Sequence, residues 1–338
     1  MHAKSGSRFV MFFVAGILLA SVCLTSCKGK RSGNEVVTIA QWGQERYLIY
    51  LPLYVAIEEG YFQKRGIETR VTFTGNDDQT FAAVMSGSAQ FGVGDPVFTA
   101  ISEEHGYPAK VVANIVSGVA IWGLTNNPSI QYIKSPNQLA GLRIGTFPSP
   151  STNYTLMRDL ISRTPELKDT TIIQAPIGSQ LALLNSHRAD VAMELEPSTS
   201  IAEAQGYRVV YSSPQFHGPF AFTGLTTTDR MIKDSPETVA KVVDALEEAE
   251  TRCHEDPQLA IRVASKLFPT LSNEIVTRAV NRMLNEGTLP QHTAVTEQAW
   301  QAALKVRLEV GDLSKPQETS QSVDNSFADR AMAHFARK

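Results

Sequence analysis

Cysteine is scarce in this chain. Three occur among 338 residues, at positions 23, 27 and 253, so only Cys253 lies beyond the first thirty residues. A single thiol closes no intrachain disulfide, which excludes a stapled scaffold and leaves stability to a hydrophobic core. Long apolar runs are scarce as well. One spans Phe9 to Ala20, and no later stretch approaches the ~20 apolar residues that cross a bilayer. Basic blocks are missing: 31 Lys and Arg stand against 34 Asp and Glu, so no positive stripe awaits nucleic acid. The seven histidines are scattered from His2 to His334 and suggest no metal cluster. Gly-x-Ser-x-Gly, Ser-x-x-Lys, His-Glu-x-x-His and Cys-x-x-Cys are absent, and Gly92-Val93-Gly94 lacks the third glycine of a dinucleotide loop. These absences argue against an enzyme, and no cofactor or metal is expected.

The apolar run at the start has a telling context. Lys4 and Arg8 precede it, and Leu24-Thr25-Ser26-Cys27 follows. A dozen apolar residues behind a short basic start form a secretory signal, too short to remain as a span of ~30 Å. The cysteine-terminated stretch resembles a bacterial lipobox, which implies cleavage before Cys27, lipid (palmitate-type) attachment to its sulfur and tethering to a membrane outside the cytoplasm. Residues 1–26 are then a lipoprotein signal peptide. Residues 27–35, rich in Lys, Gly, Ser and Asn, form a flexible lipidated tether. Loss of Lys4 and Arg8 leaves 29 basic against 34 acidic residues, a net charge of −5. Lys28 is not the aspartate associated with inner-membrane retention, so the destination membrane stays open. The remaining chain of about 310 residues suits two domains.

Strand-like stretches recur at Val36–Ala40, Ile67–Phe73, Ala89–Gly94, Ala109–Ile115, Ala120–Thr125, Arg143–Thr146, Thr171–Gln174, Asp190–Met193 and Arg208–Tyr211, most of them separated by helical sequence. That alternation predicts an α/β fold with parallel sheets covered on both faces. Helices are expected up to about Gly60, over Gln79–Met85, over Tyr154–Ser162, and from Pro236 with Ser235 as its cap. One echo organises the pattern. Ala82–Pro96 runs helix, tight turn, strand, acid, proline, and Ala182–Pro197 repeats it about a hundred residues later. Ligands of open α/β sheets lie beyond the carboxyl ends of strands, where Asp95-Pro96 and Glu194-Leu195-Glu196-Pro197 fall. Two such edges imply a cleft between two lobes.

Five motifs then appear in order. Tyr54-Val55-Ala56-Ile57-Glu58-Glu59-Gly60-Tyr61-Phe62 with Arg65-Gly66-Ile67-Glu68, Ser86–Gly92, Leu139–Gly145, Ala189–Met193 with Glu196-Pro197, and Trp300 with Gly311-Asp312-Leu313 together resemble the nitrate/taurine/sulfonate and thiamine-precursor binding proteins of bacterial ABC importers. The resemblance covers Val36 to Phe327. It implies a type II periplasmic-binding-protein fold: two lobes, a ligand cleft, two crossing segments near Trp122–Asn126 and Phe222–Thr226, and closure on a small-molecule ligand that is passed to an ABC permease. Lobe one is expected to comprise 36–123 plus 225–338, and lobe two 124–224. A lipid-anchored monomer in the periplasm or at the cell surface follows, with no nucleic-acid partner. A receptor that presents its ligand to a sensor is an alternative. So is kinship to the enzyme that consumes its own histidine to build thiamine pyrimidine, but its cysteine-rich motif is absent.

Candidate ligand residues follow from chemistry and from that resemblance. Trp42, Tyr47 and Tyr50 lie in the loop after the first strand, where aromatic rings can stack on a ligand. Thiamine-precursor binders also carry a tryptophan after this strand, although Gly43-Gln44-Glu45-Arg46 here replaces their asparagine-rich continuation. Trp122 approaches a crossing. Ser151, Thr152 and Asn153 open a helix whose free N–H groups suit an acidic group. Asp77 and Asp78 at the matching turn of the other lobe, with Asp95 and Glu194 at strand ends, add negative charge, which favours a ligand with donor groups. His217 sits in a lobe-two loop. The charge balance disfavours a bare inorganic anion. A pyrimidine-like heterocycle is the first expectation, and an aminosulfonate of the taurine type the second.

Overall fold

The computed structural model describes residues 34–336. Residues 1–33, including Cys27 and all but the last two residues of the expected tether, lie outside the described residues. Ten strands carry the architecture: β1 (Glu35–Gln41), β2 (Ile67–Phe73), β3 (Phe91–Gly94), β4 (Ala109–Ser117), β5 (Trp122–Thr125), β6 (Arg143–Thr146), β7 (Thr171–Gln174), β8 (Val191–Glu194), β9 (Arg208–Ser212) and β10 (Ala221–Thr228). They form two five-stranded sheets, ordered β2-β1-β3-β10-β4 and β7-β6-β8-β5-β9. The two orders are equivalent position by position, so the echo in sequence is an echo in topology.

Each sheet departs from the expected all-parallel arrangement at one strand. β10 runs antiparallel to β3 and β4, and β5 runs antiparallel to β8 and β9. Both are strands that arrive from the other sheet. The chain leaves β4 and enters the second sheet as β5; it leaves β9 and returns to the first as β10. Local alternation of strand and helix cannot register such an exchange, because it reports which elements exist and not which sheet they join.

Helix starts follow local chemistry. The Asp77–Met85 helix begins two residues before the expected Gln79, because the Asn76 side chain accepts from the Gln79 N–H at 2.9 Å and Asp77 and Asp78 suit the positive helix end. Ser151 caps the Thr152–Arg163 helix by accepting from the Tyr154 N–H at 3.3 Å. The Pro236–Glu255 helix starts where expected, with proline in its first turn, but Ser235 makes no side-chain cap bond. Its backbone (φ −142°, ψ 52°) lies outside the geometry that aims the hydroxyl at the helix N–H groups.

One core cluster runs through both halves: it joins Val37, Ile39, Phe91, Val111 and Leu225 of the first sheet with residues of the Leu51–Glu58 and Pro236–Glu255 helices, and Val191, Met193, Leu156 and Leu160 around the second sheet belong to it as well. A smaller cluster around Leu124, Leu183, Leu184 and Ala192 lies in the second half. The carboxyl ends of β1 and β3 and of β6 and β8 are thereby left free to shape a site.

Candidate functional site

The site grows from the carboxyl end of β1. The Trp42 N–H bonds the Val93 carbonyl at 2.9 Å, extending the ladder by one residue. Gly43 (φ +94°) then turns the chain in the left-handed region, and a side-chain carbon there would meet the Tyr47 ring at 2.3 Å. The turn brings Tyr47 against Trp42, ring centroids 5.0 Å apart. Buried Gln41 fixes the loop: it accepts from the Tyr54 hydroxyl at 2.8 Å and donates to the Glu45 carbonyl at 3.1 Å.

Beside this loop two carboxyl groups interlock. Asp77 Oδ1 accepts from the Asp95 N–H at 2.8 Å. Asp95 Oδ1 accepts from the Val97 N–H at 3.0 Å, while its Oδ2 accepts from Thr152 Oγ1 at 2.7 Å and from Arg307 Nη2 at 2.6 Å. Asp95 is thus fully engaged, whereas only one Asp77 oxygen has a protein donor. Removal from solvent, followed by the neighbouring Asp95 charge, pushes the Asp77 carboxyl up to about 7. Close approach of Asp77 depends on Gly94, where an added methyl would stand 2.8 Å from Asp77 Oδ1. Gly94→Ala is therefore expected to displace Asp77 and weaken ligand binding roughly tenfold or more, the scale of one hydrogen bond to a charged group. Isothermal titration against the wild type checks this.

These groups face a cavity between the two sheets. Trp42, Tyr50, Phe147 and Phe222 give it aromatic walls, and Asp77, Asp95, Thr152 and Asn153 give it polar ones. Asn153 is only 5 % exposed, and its Nδ2 has no partner. A buried amide left unpaired is costly unless something else accepts from it. A wider mouth, lined by Tyr47, Glu45, Asp78 and Ile177, leads outward and shares Trp42, Asp77, Phe147 and Ser151 with the cavity. The arrangement can stack a flat ring and accept hydrogen bonds from it through Asp77.

Of the residues singled out from sequence, Trp42, Asp95, Ser151, Thr152 and Asn153 converge on this cavity, and Tyr47 lines its mouth. Three lie elsewhere. Trp122 is fully buried in β5, its Nε1 donating to Glu286 at 3.0 Å. Glu194, 3 % exposed at the end of β8, lines neither the cavity nor its mouth, and burial lifts its carboxyl to about 8. His217 Nε2 pairs with the Tyr211 hydroxyl at 3.0 Å in a small chamber behind Asn153, and burial, then the Arg163 charge, lower its pKa to about 4. Asp77 was read from sequence only as part of the negative charge at its turn, and Phe147 and Arg307 were not singled out. Asn76-Asp77-Asp78 signalled a helix start and Phe147 followed a strand end, but nothing local marked Arg307.

Two sheets related by a strand exchange, with a polar and aromatic cavity between their carboxyl ends, define a periplasmic-binding-protein fold. A family model described as "NMT1/THI5 like" matches residues 49–260, and the chain belongs to that family. It is 21 % identical over 331 residues to the putative binding protein YtlA of Bacillus subtilis, covering 94 % of this chain and 96 % of the relative. It is 22 % identical over 241 residues to the formylaminopyrimidine-binding protein of Halalkalibacterium halodurans, covering 68 % and 71 %. The aliphatic sulphonate binding protein SsuA from Escherichia coli shares the fold with a TM-score of 0.68 at 15 % identity, over 87 % of this chain and 93 % of that one. The desulfurization enzyme DSZB also shares it, with a TM-score of 0.66 at 14 % identity over 89 % and 100 %. Most of these relatives are binding proteins. Among the described residues no helix is long and apolar enough to cross a membrane.

Proposed function

We propose that this protein is the extracytoplasmic solute receptor of an ABC-type importer, capturing a small nitrogen heterocycle with donor groups and delivering it to a membrane permease. The observation that carries the ligand class is the pairing of Trp42 and Phe147 with Asp77 in one cavity: ring walls beside a carboxyl group with an oxygen to spare. The formylaminopyrimidine relative supports the same chemistry. Binding without turnover is the accompanying reading, supported by the binding-protein names of the relatives YtlA and the formylaminopyrimidine-binding protein.

A thermal-shift screen against pyrimidines, purines, flavins, sulfonates and nitrate tests the proposal. Ligand at a hundred times its dissociation constant adds about 2.7 kcal/mol of stability, a visible shift. Heterocycles alone are expected to produce it; a shift with sulfonates or nitrate and none with heterocycles would remove the heterocycle reading, and silence across every class would leave the receptor fold standing with another cargo. An aminosulfonate remains the second reading, because the unpaired Asn153 amide at a helix start offers a donor to a sulfonate while Asp77 accepts from the amine.

Anchoring through Cys27 completes the proposal, with the receptor held as a monomer near its permease. Replacing Cys27 with serine is expected to move the protein from the membrane to the soluble fraction with ligand affinity unchanged. Fractionation followed by immunoblotting decides this, and continued sedimentation with membranes would remove the anchor.

A further inference from the structure

Arg307 lies on the Glu297–Glu309 helix, which packs both on β10 of the first sheet and on the Thr152–Arg163 helix of the second half. Its side chain is 4 % exposed. The guanidinium donates in four directions: to Asp95 at 2.6 Å, Asp312 at 2.8 Å, the Pro150 carbonyl at 3.1 Å and Thr155 Oγ1 at 3.3 Å. The first two acceptors belong with the first sheet and the arginine's own helix. The last two belong to the turn and helix start that form the opposite wall of the cavity. Thr152 Oγ1 crosses the same gap to Asp95 at 2.7 Å, and Arg158 reaches the Val310 carbonyl at 2.6 Å.

We propose that Arg307 is the positioning residue of the solute cavity: it saturates Asp95, leaving Asp77 as the acceptor open to a ligand, and grips the Pro150–Thr155 wall so that the cleft is held closed by the protein's own hydrogen bonds. The inference rests on reading the cavity as a solute site. Separating the walls strips Pro150, Thr155 and Thr152 from their partners but leaves the Asp95–Arg307 and Asp312–Arg307 pairs intact within one half. Opening therefore breaks a defined set of bonds: three converge on Asp95 and the residue that holds it, and the Arg158–Val310 bond lies beside them. Nη2 serves Asp95 while the two N–H groups of Nη1 are shared among Asp312, Pro150 and Thr155, and a lysine keeps the charge without that planar spread of donors.

Hydrogen exchange of the full-length protein, without ligand, tests this. Arg307→Gln is expected to speed exchange roughly tenfold in the segments on the two sides of the cleft, 42–50, 75–79 and 151–156, as befits lost hydrogen bonds to a charged donor, with the remaining segments unchanged. Arg307→Lys should fail to restore protection, and Thr152→Val should give a smaller rise in the same segments. Unchanged exchange there, a rise spread evenly over the chain, or full rescue by lysine would each overturn the proposal. If Arg307→Gln does not fold, the lysine and valine variants decide the matter by the same criteria. Because no ligand is present, the outcome of the ligand screen leaves this result unaffected, and the reverse also holds.

Discussion

Asp77→Asn is expected to lower affinity for a donor-bearing ligand by roughly 10–100-fold while making the protein more stable at pH 8. The two effects share one cause. The Asp77 carboxyl, ordinarily near 3.8, is pushed up to about 7 by desolvation and by the Asp95 charge. Its ionised form is therefore disfavoured by folding. The destabilisation begins as pH rises past the unfolded value near 4, and it is complete above about 7. Asparagine keeps an oxygen for the Asp95 N–H and never ionises, so its advantage grows from about zero at pH 4 to on the order of 1–2 kcal/mol at pH 8. That figure is discounted because Asp77 is only half-buried. Wild-type affinity for the ligand should rise with pH through about 7, as Asp77 ionises. Titration calorimetry at pH 6 and 8 and melting curves from pH 4 to 8 check both statements. Equal affinity of the variant at pH 8 would remove Asp77 from the site.

Arg282→Ala is expected to cost about 3–5 kcal/mol at pH 8, the largest stability loss anticipated here. Arg282, on the Asn273–Asn285 helix, reaches across to the second half, where its Nε lies 3.3 Å from Glu196 Oε1 and its Nη2 pairs with Glu203. It also stands 5.8 Å over the Trp122 ring. Glu196 is fully buried and otherwise accepts only from Ser200, through its hydroxyl at 2.9 Å and its N–H at 3.1 Å. Burial already pushes its carboxyl up to about 7 even though Arg282 pulls it down. Without the arginine the carboxyl rises further and folding must take up a proton. The loss should therefore be greatest at pH 8 and shrink towards pH 5, where Glu196 is neutral in either protein. Chemical denaturation at the two pH values checks the direction, and a loss independent of pH would assign the effect to packing on Trp122 alone.

The strands were legible in the sequence because alternation and turn residues act locally: Ile67–Phe73, Arg143–Thr146 and Thr171–Gln174 have the expected bounds. The exchange of β5 and β10 was visible only through the family resemblance, since no local pattern states which sheet a strand joins. The placing of site residues divides along the same line. Trp42 and Asp95 sit at strand ends that the α/β topology aims at a cleft, so their type and position sufficed to nominate them. Trp122 also sits at a strand edge, yet its ring faces Glu286 and Arg282, a choice of face that depends on a helix more than 150 residues away. Arg307 meets Asp95 across 212 residues, and no spacing rule spans that distance.

The exchanged strands also govern the order of assembly. β10 lies between β3 and β4, so the first sheet stays divided until residue 228 has been synthesised, after every strand of the second sheet has been made. The second sheet needs only β5 to β9, an unbroken stretch of chain. A growing chain can complete that half first and must keep β4 from pairing elsewhere in the meantime. Such long-range closure slows folding. A fragment ending near residue 220 would hold a finished second sheet beside an unfinished first one, exposed along two strands.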